Sequence, residues 1–361
     1  FAGLSAGRYS VIESQPTGWI DGLDAAGTVD GTSSGSADSG GDALRDVVLR
    51  WGSKGVEYNF GELLPGSIQG LVHADTDRNC ILDPGETLIA GVSIELLDGQ
   101  GQVIGTATTD SRGEYRFEGL TPGEYSVREI QPHGYFHGGQ RAGSHGGNAG
   151  QVDLISEVMV GSGQQLTDYD FCEIPPASIA GIVYVDPNQN ETYQPGEKLL
   201  EDVTIQLLDD DGRVVETTQT NQAGYYEFTN LRPGIYGVRE SQPSGYFHGG
   251  QQAGSHGGID AVEDFITGLG FGPGQSLVQY NFSEIPPSSL AGSVHVSTNP
   301  DCSNPNGDPI QGVLIELLDD DGQVVASKRT DARGHYEFRN LRPGTYTVRE
   351  TQPTQYFHGG Q

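Results

Sequence analysis

Val92-Ser-Ile-Glu-Leu-Leu-Asp-Gly-Gln-Gly101 alternates apolar and polar side chains and then ends in a hairpin-turn sequence. A half-buried β-strand has this period of two, and Asp-Gly is a strong turn signal. The pattern continues through a returning strand at residues 103–109 and through Glu114-Tyr-Arg-Phe117, which places both rings on one face. The same alternation predicts strands at residues 67–74, 125–129, 154–160 and 166–171.

The composition supports an all-β fold. The 55 glycines and 19 prolines recur at turn positions between apolar segments rather than in low-complexity runs. No segment sustains the 3.6-residue period of an amphipathic helix. About seven short strands, with turns at roughly 8–12-residue intervals, predict a β-sandwich.

Three sequence markers recur with the period of a whole domain. Phe117-Glu-Gly-Leu-Thr-Pro-Gly-Glu-Tyr125 returns at residues 228–236 and 338–346. The other two markers are Gly134-Tyr-Phe-His-Gly-Gly-Gln140 and the junction Tyr169-Asp-Phe-Cys-Glu-Ile-Pro-Pro176. Because the chain begins late in one repeat and stops inside another, we expect it to be a section of a longer array, with any targeting or anchoring signal outside it. The predicted divisions are part of a repeat at residues 1–66, complete repeats at residues 67–176 and 177–287, and part of a further repeat at residues 288–361.

The formal net charge of −30 argues against two classes of partner. Such a polyanion repels phosphate, which disfavours nucleic acid and anionic membrane surfaces. No apolar run approaches the roughly 18 residues that a membrane-spanning helix needs, so we expect no membrane insertion in this segment. Divalent cations are the expected counter-ions.

An Asp-rich loop followed by Gly91-Val-Ser-Ile-Glu-Leu-Leu-Asp98 and Thr109-Asp-Ser-Arg-Gly-Glu-Tyr-Arg-Phe117 resembles the B-type repeats of bacterial surface adhesins. These are the serine-aspartate-repeat B and collagen-adhesin B families, and the resemblance covers essentially the whole chain, repeat by repeat. It implies tandem prealbumin-like Greek-key β-sandwich domains in a linear array. It also implies an extracellular location, on a bacterial cell surface or secreted, and a role as a stalk or spacer without catalytic machinery.

Two features depart from those families. The insertion at residues 134–147 is not typical of the adhesin modules and looks more like very large multi-repeat bacterial surface proteins. Many collagen-adhesin B modules carry a lysine–asparagine isopeptide bond with the lysine on the first strand. The equivalent segments here, residues 67–74, 179–185 and 290–296, contain no lysine, so we do not expect that cross-link.

Residues 75–86 have the ligand spacing of a calcium-binding loop. Positions 1, 3, 5, 7, 9 and 12 of this twelve-residue loop are Asp75, Asp77, Asn79, Ile81, Asp83 and Glu86. Five of them carry side-chain oxygens, and the residue at position 7 offers its backbone carbonyl. An EF-hand uses this spacing to bring six or seven oxygens to Ca2+, although here Cys80 replaces the usual glycine and no helices flank the loop. The alternative is a solvated turn built by Asp and Asn.

Two later loops repeat the spacing with fewer carboxylates. The ligand positions of the second loop are Asp186, Asn188, Asn190, Thr192, Gln194 and Glu197. The third loop, residues 297–308, is degenerate. Because ligand charge tunes affinity, we expect the first loop to bind Ca2+ most strongly and the third least.

The three cysteines predict one disulfide within the chain. Cys80 follows the first strand of a repeat and Cys172 ends the last strand of the same repeat. If those strands run parallel, the two thiols lie at the same pole of the domain and can pair. Cys302 occupies the loop position of Cys80, so its partner is expected beyond Gln361. The alternative is three free thiols.

The glycine-rich segments raise a further metal hypothesis. His137 and His145 lie in one segment, and His248 and His256 lie in the next. Their spacing matches no zinc signature, so a packed aromatic edge beside a glycine-lined loop is the favoured interpretation.

No catalytic constellation recurs in the sequence. Glu129, Glu240 and Glu350 each follow an arginine on a predicted strand and are interpreted as surface or interface ion pairs. No nucleophile repeats together with a histidine and a carboxylate. We therefore predict that the chain is not an enzyme.

The sequence favours a structural array, a stalk, fibre or filament stiffened by calcium and by proline-containing junctions. Its partners would be neighbouring repeats of the same chain, and lateral pairing of copies through edge strands is a further alternative. At each junction a glutamate such as Glu173, or a nearby carbonyl, is expected to complete the cation's shell. The alternative function is an adhesin that binds a host protein or glycan.

Overall fold

The computed structural model describes residues 1–38, 40–297 and 307–357 of the chain. These residues form β-strands joined by turns and bends, which confirms the predicted all-β class. Within the same ranges, no helix is long and apolar enough to cross a membrane. The chain divides into two compact units, Phe1–Pro176 and Ala177–Gln361.

The first unit begins with short sheets in residues 1–66. The strands there are β1 (Gly7–Ile12), β2 (Ile20–Asp21), β3 (Thr28–Val29), β4 (Thr32–Ser33), β5 (Ser36–Ala37), β6 (Ala43–Leu49), β7 (Gly55–Val56) and β8 (Glu62–Leu63). They form sheets with the orders β1-β6-β5, β2-β8 and β4-β3-β7. Ala43, Leu44 and Val47 of β6 are buried, and a register shift between β1 and β6 interrupts strict alternation along the strand.

The rest of this unit is a complete two-sheet sandwich. Its strands are β9 (Gly66–Ala74), β10 (Thr87–Leu88), β11 (Ser93–Asp98), β12 (Val103–Thr108), β13 (Glu114–Leu120), β14 (Gly123–Glu129), β15 (Phe136–Arg141), β16 (Asn148–Gln151), β17 (Leu154–Val160), β18 (Gln165–Leu166) and β19 (Asp170–Ile174). One sheet has the order β10-β9-β19-β15, with β13 and β18 also pairing with β9. The other has the order β12-β11-β14-β17-β16. The chain crosses repeatedly between the sheets, in agreement with the predicted Greek-key sandwich.

Alternate side chains of both sheets fill the core between them. Ile94 and Val127 come from one sheet and Ile68 and Phe171 from the other, and all four are buried. A Cβ added to Gly70 would lie only 1.8 Å from the carbonyl oxygen of Tyr169, so this close approach of two chain segments requires glycine.

The first and last long strands of this sandwich run parallel. Cys172 of β19 is opposite His73 of β9, and Glu173 is opposite Ala74. The loop that follows β9 and the end of β19 therefore lie at the same pole, which is the condition that the disulfide prediction needed.

The second unit repeats this sandwich and adds part of another. The strands of the repeated sandwich are β20 (Ala177–Val185), β21 (Thr204–Asp209), β22 (Val214–Gln219), β23 (Tyr225–Leu231), β24 (Gly234–Glu240), β25 (Phe247–Gln252), β26 (Ile259–Val262), β27 (Phe265–Phe271), β28 (Ser276–Leu277) and β29 (Asn281–Ile285). The added strands are β30 (Ser288–Ser293), β31 (Leu314–Leu318), β32 (Val324–Arg329), β33 (His335–Leu341) and β34 (Thr347–Glu350). The sheet orders are β23-β20-β29-β25, with β28 also pairing with β20, β22-β21-β24-β27-β26, β30-β33 and β32-β31-β34.

Two strand predictions need correction. The strand expected at residues 166–171 is interrupted before β19, where Asp168 has a φ of 65°. The glycine-rich segment was expected to be a loop, but part of it forms β15 and pairs with β19. The two strands can approach this closely because residue 138 is glycine. A side chain there would place its Cβ 2.6 Å from the carbonyl oxygen of Cys172. The repeat boundaries and the linear arrangement of the repeats remain predictions.

Candidate metal centre

The first Asp-rich loop connects β9 with β10 and is organised around Asp75. This carboxylate is buried and accepts hydrogen bonds from the backbone N–H groups of Arg78 (2.6 Å) and Cys80 (2.9 Å). The backbone N–H of Asp75 donates to the carbonyl oxygen of Glu173 at 2.7 Å. These bonds fix the first predicted ligand at the end of a core strand.

The remaining predicted ligands of this loop lie close to Asp75. Ligand atoms of Asp75, Asp77 and Glu86 lie within 4.8 Å of one another. The Asn79 side-chain amide donates to Asp77 (2.9 Å) and to Asp83 (2.8 Å). Asn79 and Asp83 therefore also face the three carboxylates. A rotation of that amide would turn its oxygen toward the carboxylates in place of its nitrogen.

The charge of this loop suits a hard cation. Glu86 accepts bonds from the backbone N–H groups of Thr76 (2.7 Å) and Asp83 (3.1 Å), which turn its carboxylate into the loop. Partial desolvation and the neighbouring carboxylates, Asp83 first among them, raise the pKa of Asp77 against the opposing effect of a backbone N–H. Ile81 lies in the same turn, with its backbone N–H donating to Asn79 Oδ1 at 2.6 Å. The donor set is made of oxygens, as Ca2+ requires.

The second loop keeps the turn but concentrates less charge. Asp186 is buried, and its Oδ2 accepts a bond from the N–H of Glu191 at 2.8 Å. Asp186 Oδ1 and Glu197 Oε1 are buried without a hydrogen-bond partner among the described residues. The other predicted ligands bond within the loop through Asn188–Gln194 (3.0 Å), Thr192–Asn190 (3.0 Å) and Gln194–Glu197 (2.8 Å). Most of the third loop, residues 298–306, lies outside the described residues.

The predicted disulfide is present between Cys80 and Cys172, with 5.4 Å between the two Cα atoms. It joins the first Asp-rich loop to β19. Gly139 of β15 packs beside it, since a Cβ there would lie 3.2 Å from the sulfur of Cys172. Cys302 lies outside the described residues.

The side chain of Glu173 is not where the sequence analysis expected it. Its backbone carbonyl accepts the hydrogen bond from the N–H of Asp75. Its carboxylate is fully buried in a second cluster, in which ligand atoms of Glu173, His137 and Asp153 lie within 4.8 Å of one another. Gln131 donates a hydrogen bond to this carboxylate. The reason is strand alternation, which turns the Glu173 side chain away from the loop that its backbone supports.

Glu129 also belongs to this cluster, so its interpretation as a surface or interface ion pair is wrong. It is 2% exposed, and neither of its carboxylate oxygens has a hydrogen-bond partner among the described residues. Alternation sends Arg128 to the other face, where it pairs with Glu95 at 2.7 Å. Burial, and then the charge of Glu173, raise the pKa of Glu129; burial likewise raises the pKa of Glu173.

The second unit contains the same cluster. Ligand atoms of Glu240, Asp264 and Glu284 lie within 4.8 Å of one another, and His248 Nδ1 lies 2.6 Å from Asp264. The corresponding distance between His137 Nδ1 and Asp153 is 2.7 Å. Gln242 takes the place of Gln131. Burial raises the pKa of both glutamates here as well.

The histidines of one glycine-rich segment do not act as a pair. His145 and His256 are exposed and bond to the adjacent Ser144 (3.0 Å) and Ser255 (2.9 Å). His137 and His248 meet carboxylates instead. The sequence analysis missed these clusters, although the recurrence of a glutamate, a Gln-Pro pair, a histidine, an aspartate and a final glutamate in residues 129–173 and 240–284 was a signal for them.

A family model described as SdrD B-like domain matches residues 66–172, 177–270 and 289–361. Serine-aspartate repeat-containing protein D of Staphylococcus aureus (strain Newman) is 31% identical over 301 residues, which cover 83% of this chain and 22% of that protein. Serine-aspartate repeat-containing protein F of Staphylococcus epidermidis is 28% identical over 368 residues, covering 98% of this chain and 20% of that protein. The chain thus spans about a fifth of the length of these curated relatives.

Solved structures with some likeness include the Bacillus anthracis TIE protein and BcpA, the major pilin subunit of Bacillus cereus. The first has a TM-score of 0.39 at 18% identity and covers 87% of this chain and 51% of its own. The second has a TM-score of 0.35 at 15% identity and covers 80% of this chain and 88% of its own.

The matched family and relatives are repeat domains and repeat-containing proteins rather than enzymes. The resemblance to B-type repeats and the prediction that this segment is not an enzyme are therefore confirmed.

Proposed function

This chain belongs to the SdrD B-like domain family, and from that premise we propose that it is a structural section of an extracellular repeat protein. Its repeats form a stalk, fibre or filament on a bacterial cell surface. Calcium bound in the Asp-rich loops stiffens each repeat at the pole where its first and last strands meet.

The observation that carries this proposal is the convergence of Asp75, Asp77 and Glu86 at the end of β9. Three carboxylates with ligand atoms within 4.8 Å repel one another unless a cation lies between them. Bound Ca2+ supplies that charge and takes oxygen ligands at about 2.3–2.6 Å. Asn79, Asp83 and the carbonyl of Ile81 would complete the shell.

The loop is attached to the sandwich in a way that makes such binding stiffen the domain. Asp75 is hydrogen-bonded to the backbone of Glu173, and Cys80 is covalently joined to Cys172. Glu173 and Cys172 both lie on β19. A cation that orders the loop therefore also ties together β9 and β19. In a chain of net charge −30, neutralising this pole also reduces self-repulsion in the folded state.

The disulfide supports the extracellular location. Disulfides form and persist in oxidising surroundings such as cell surfaces, and are rare in the cytosol of most organisms. The near identity of the glycine-rich segments at residues 134–140 and 245–251 favours a structural role over the alternative of an adhesin, because ligand-binding loops tend to diversify between repeats.

The proposal is tested by small-angle scattering and thermal unfolding of the whole chain in Ca2+ and in a calcium chelator. We expect the chelator to lower the melting temperature and to broaden the range of molecular dimensions. Glu86→Gln should reproduce much of both effects in the presence of Ca2+. Glu118→Gln is the matched control, because it removes the same charge from an exposed side chain on β13. If the chelator changes neither quantity, calcium has no stiffening role here.

A further inference from the structure

We propose that Glu129, His137, Asp153 and Glu173 form a binding site for a divalent transition-metal ion of the zinc class. This site is separate from the Asp-rich loop. It joins the two sheets of the sandwich, because Glu129 ends β14 and Asp153 precedes β17 in one sheet, whereas His137 and Glu173 lie on β15 and β19 in the other.

Three of the four proposed ligands are already grouped around one point. Ligand atoms of His137, Asp153 and Glu173 already lie within 4.8 Å of one another. Tetrahedral zinc with bonds of about 2.0–2.1 Å separates its ligand atoms by about 3.3 Å. The contact between His137 Nδ1 and Asp153 Oδ1, at 2.7 Å, would therefore open by about half an ångström as both atoms turn to the metal.

Glu129 is the observation that calls for a ligand. Its carboxylate is almost fully buried, and both oxygens lack a hydrogen-bond partner among the described residues. The arginines of β14 and β15 are engaged elsewhere, Arg128 with Glu95 and Arg141 with Asp170. A buried carboxylate without a partner is costly, and a metal ion removes that cost.

The donor set favours zinc over calcium. Imidazole nitrogen suits zinc and related ions, whereas calcium takes oxygen ligands. Gln131 donates to Glu173 and orients its carboxylate, as the residues behind metal ligands commonly do.

The chain contains a second copy and a natural variant of the site. In the second copy Glu240 is 4% exposed and both its oxygens are again without a partner in the described part of the chain. In residues 1–66 the same positions are Glu13, Asp21, Asp42 and Glu62, with an aspartate in place of the histidine. The backbone hydrogen bonding is the same. The N–H of Glu13 donates to the carbonyl oxygen of Asp42 at 2.9 Å, and the N–H of Glu129 donates to the carbonyl oxygen of Asp153 at 2.9 Å. The proposal assigns zinc binding to the two copies that have histidine.

The experiment is zinc titration of the metal-stripped whole chain, followed by native mass spectrometry and calorimetry in millimolar Ca2+ so that the Asp-rich loops are occupied. We expect two zinc ions per chain and a rise in melting temperature. The double variant His137→Asn, His248→Asn should lose both ions. The matched control His145→Asn, His256→Asn removes the exposed histidines of the same segments and should retain both.

A second pair of variants guards against misfolding. Glu129→Gln with Glu240→Gln removes two buried charges without changing side-chain size, so it should fold and still bind zinc at least tenfold more weakly. The proposal is overturned if the parent chain binds no zinc under these conditions, or if a folded His137→Asn, His248→Asn variant binds as the parent does. It is also overturned if zinc binding is lost with His145 and His256.

Discussion

Cys80 and Cys172 are joined across the pole of the first complete sandwich, with their Cα atoms 5.4 Å apart and a sequence separation of 92. The bond lies between a loop that holds four acidic residues and the end of β19, which is buried from Asp170 to Glu173. The second sandwich has Glu191 and Ser283 at the equivalent positions. The chain therefore contains a cross-linked repeat and an unlinked repeat of the same fold.

Removing this bond should selectively destabilise the first sandwich. In the chain-entropy model, closing a loop of this length contributes about 4–5 kcal/mol to the free energy of unfolding. Cys80→Ser with Cys172→Ser, in a Cys302→Ser background, should lower the first sandwich's stability by up to that amount. Hydrogen exchange resolved by peptide is the measurement, with the second sandwich as internal control. Equal loss of protection in both sandwiches would contradict the expectation.

The sequence predicted this pole well because each of its parts, a strand end, an Asp-rich loop or a cysteine, is recognisable within one short segment. Turn residues and alternation placed β9, β11 and β17, and the repeat markers placed Cys80 and Cys172 at opposite ends of one repeat. The Glu129 cluster was not predicted. Its four members are spread over residues 129–173 and meet only through the pairing of β14 with β17 and of β15 with β19. Alternation does place Glu129 on the same face as the buried Tyr125 and Val127, but the adjacent arginine led to the ion-pair interpretation.

The two Asp-rich loops should differ in calcium affinity. The first brings the carboxylates of Asp75, Asp77 and Glu86 together, whereas the second has only Asp186 and Glu197 at its ligand positions. Because ligand charge tunes affinity, calorimetry should resolve a tighter and a weaker event. Glu86→Gln should remove the tighter event and Glu197→Gln the weaker one. A single class of equal sites would refute the ranking.

A methyl group at Gly181 should destabilise the second sandwich. An added Cβ would lie 1.8 Å from the carbonyl oxygen of Tyr280, which also accepts a 2.6 Å hydrogen bond from the Tyr226 hydroxyl. Overpacking of this kind costs about 1–3 kcal/mol or more, so Gly181→Ala should lower the melting temperature by several degrees. Gly270→Ala is the control, because no atom lies within 4 Å of its Cβ position. Similar melting temperatures for the two variants would show that the contact is not restrictive.

Asp110 should make the first sandwich sensitive to acid. Its carboxylate accepts bonds from the backbone N–H groups of Arg112 (2.7 Å) and Glu114 (3.1 Å), which lower its pKa. A group with a lowered folded-state pKa stabilises the protein above its unfolded pKa of about 3.9, and this contribution is lost as the pH falls through the folded-state value.

Asn221 shows how this sensitivity can be removed. It makes the same turn in the second sandwich, with bonds from Ala223 (2.9 Å) and Tyr225 (3.2 Å), and carries no titrating group. Asp110→Asn should therefore keep the turn and weaken the decline of the melting temperature as the pH falls below about 4. Asn221→Asp is the reciprocal variant and should add such a decline. Unchanged acid profiles in both would rule out a role for this turn.

The final prediction separates the prolines at a repeat junction from the glutamate that precedes them. Pro175 and Pro176 restrict the residues before them to extended conformations, so replacing both with glycine should broaden the molecular dimensions measured by scattering in Ca2+. Glu173→Gln should leave those dimensions unchanged, because its carboxylate is buried with Gln131 and His137 rather than turned toward the Asp-rich loop. Both variants are compared with Pro286→Gly, Pro287→Gly, which makes the same change at the next junction. If Glu173→Gln broadens the dimensions as much as the proline variant, the buried cluster and not the proline pair controls the stiffness of the junction.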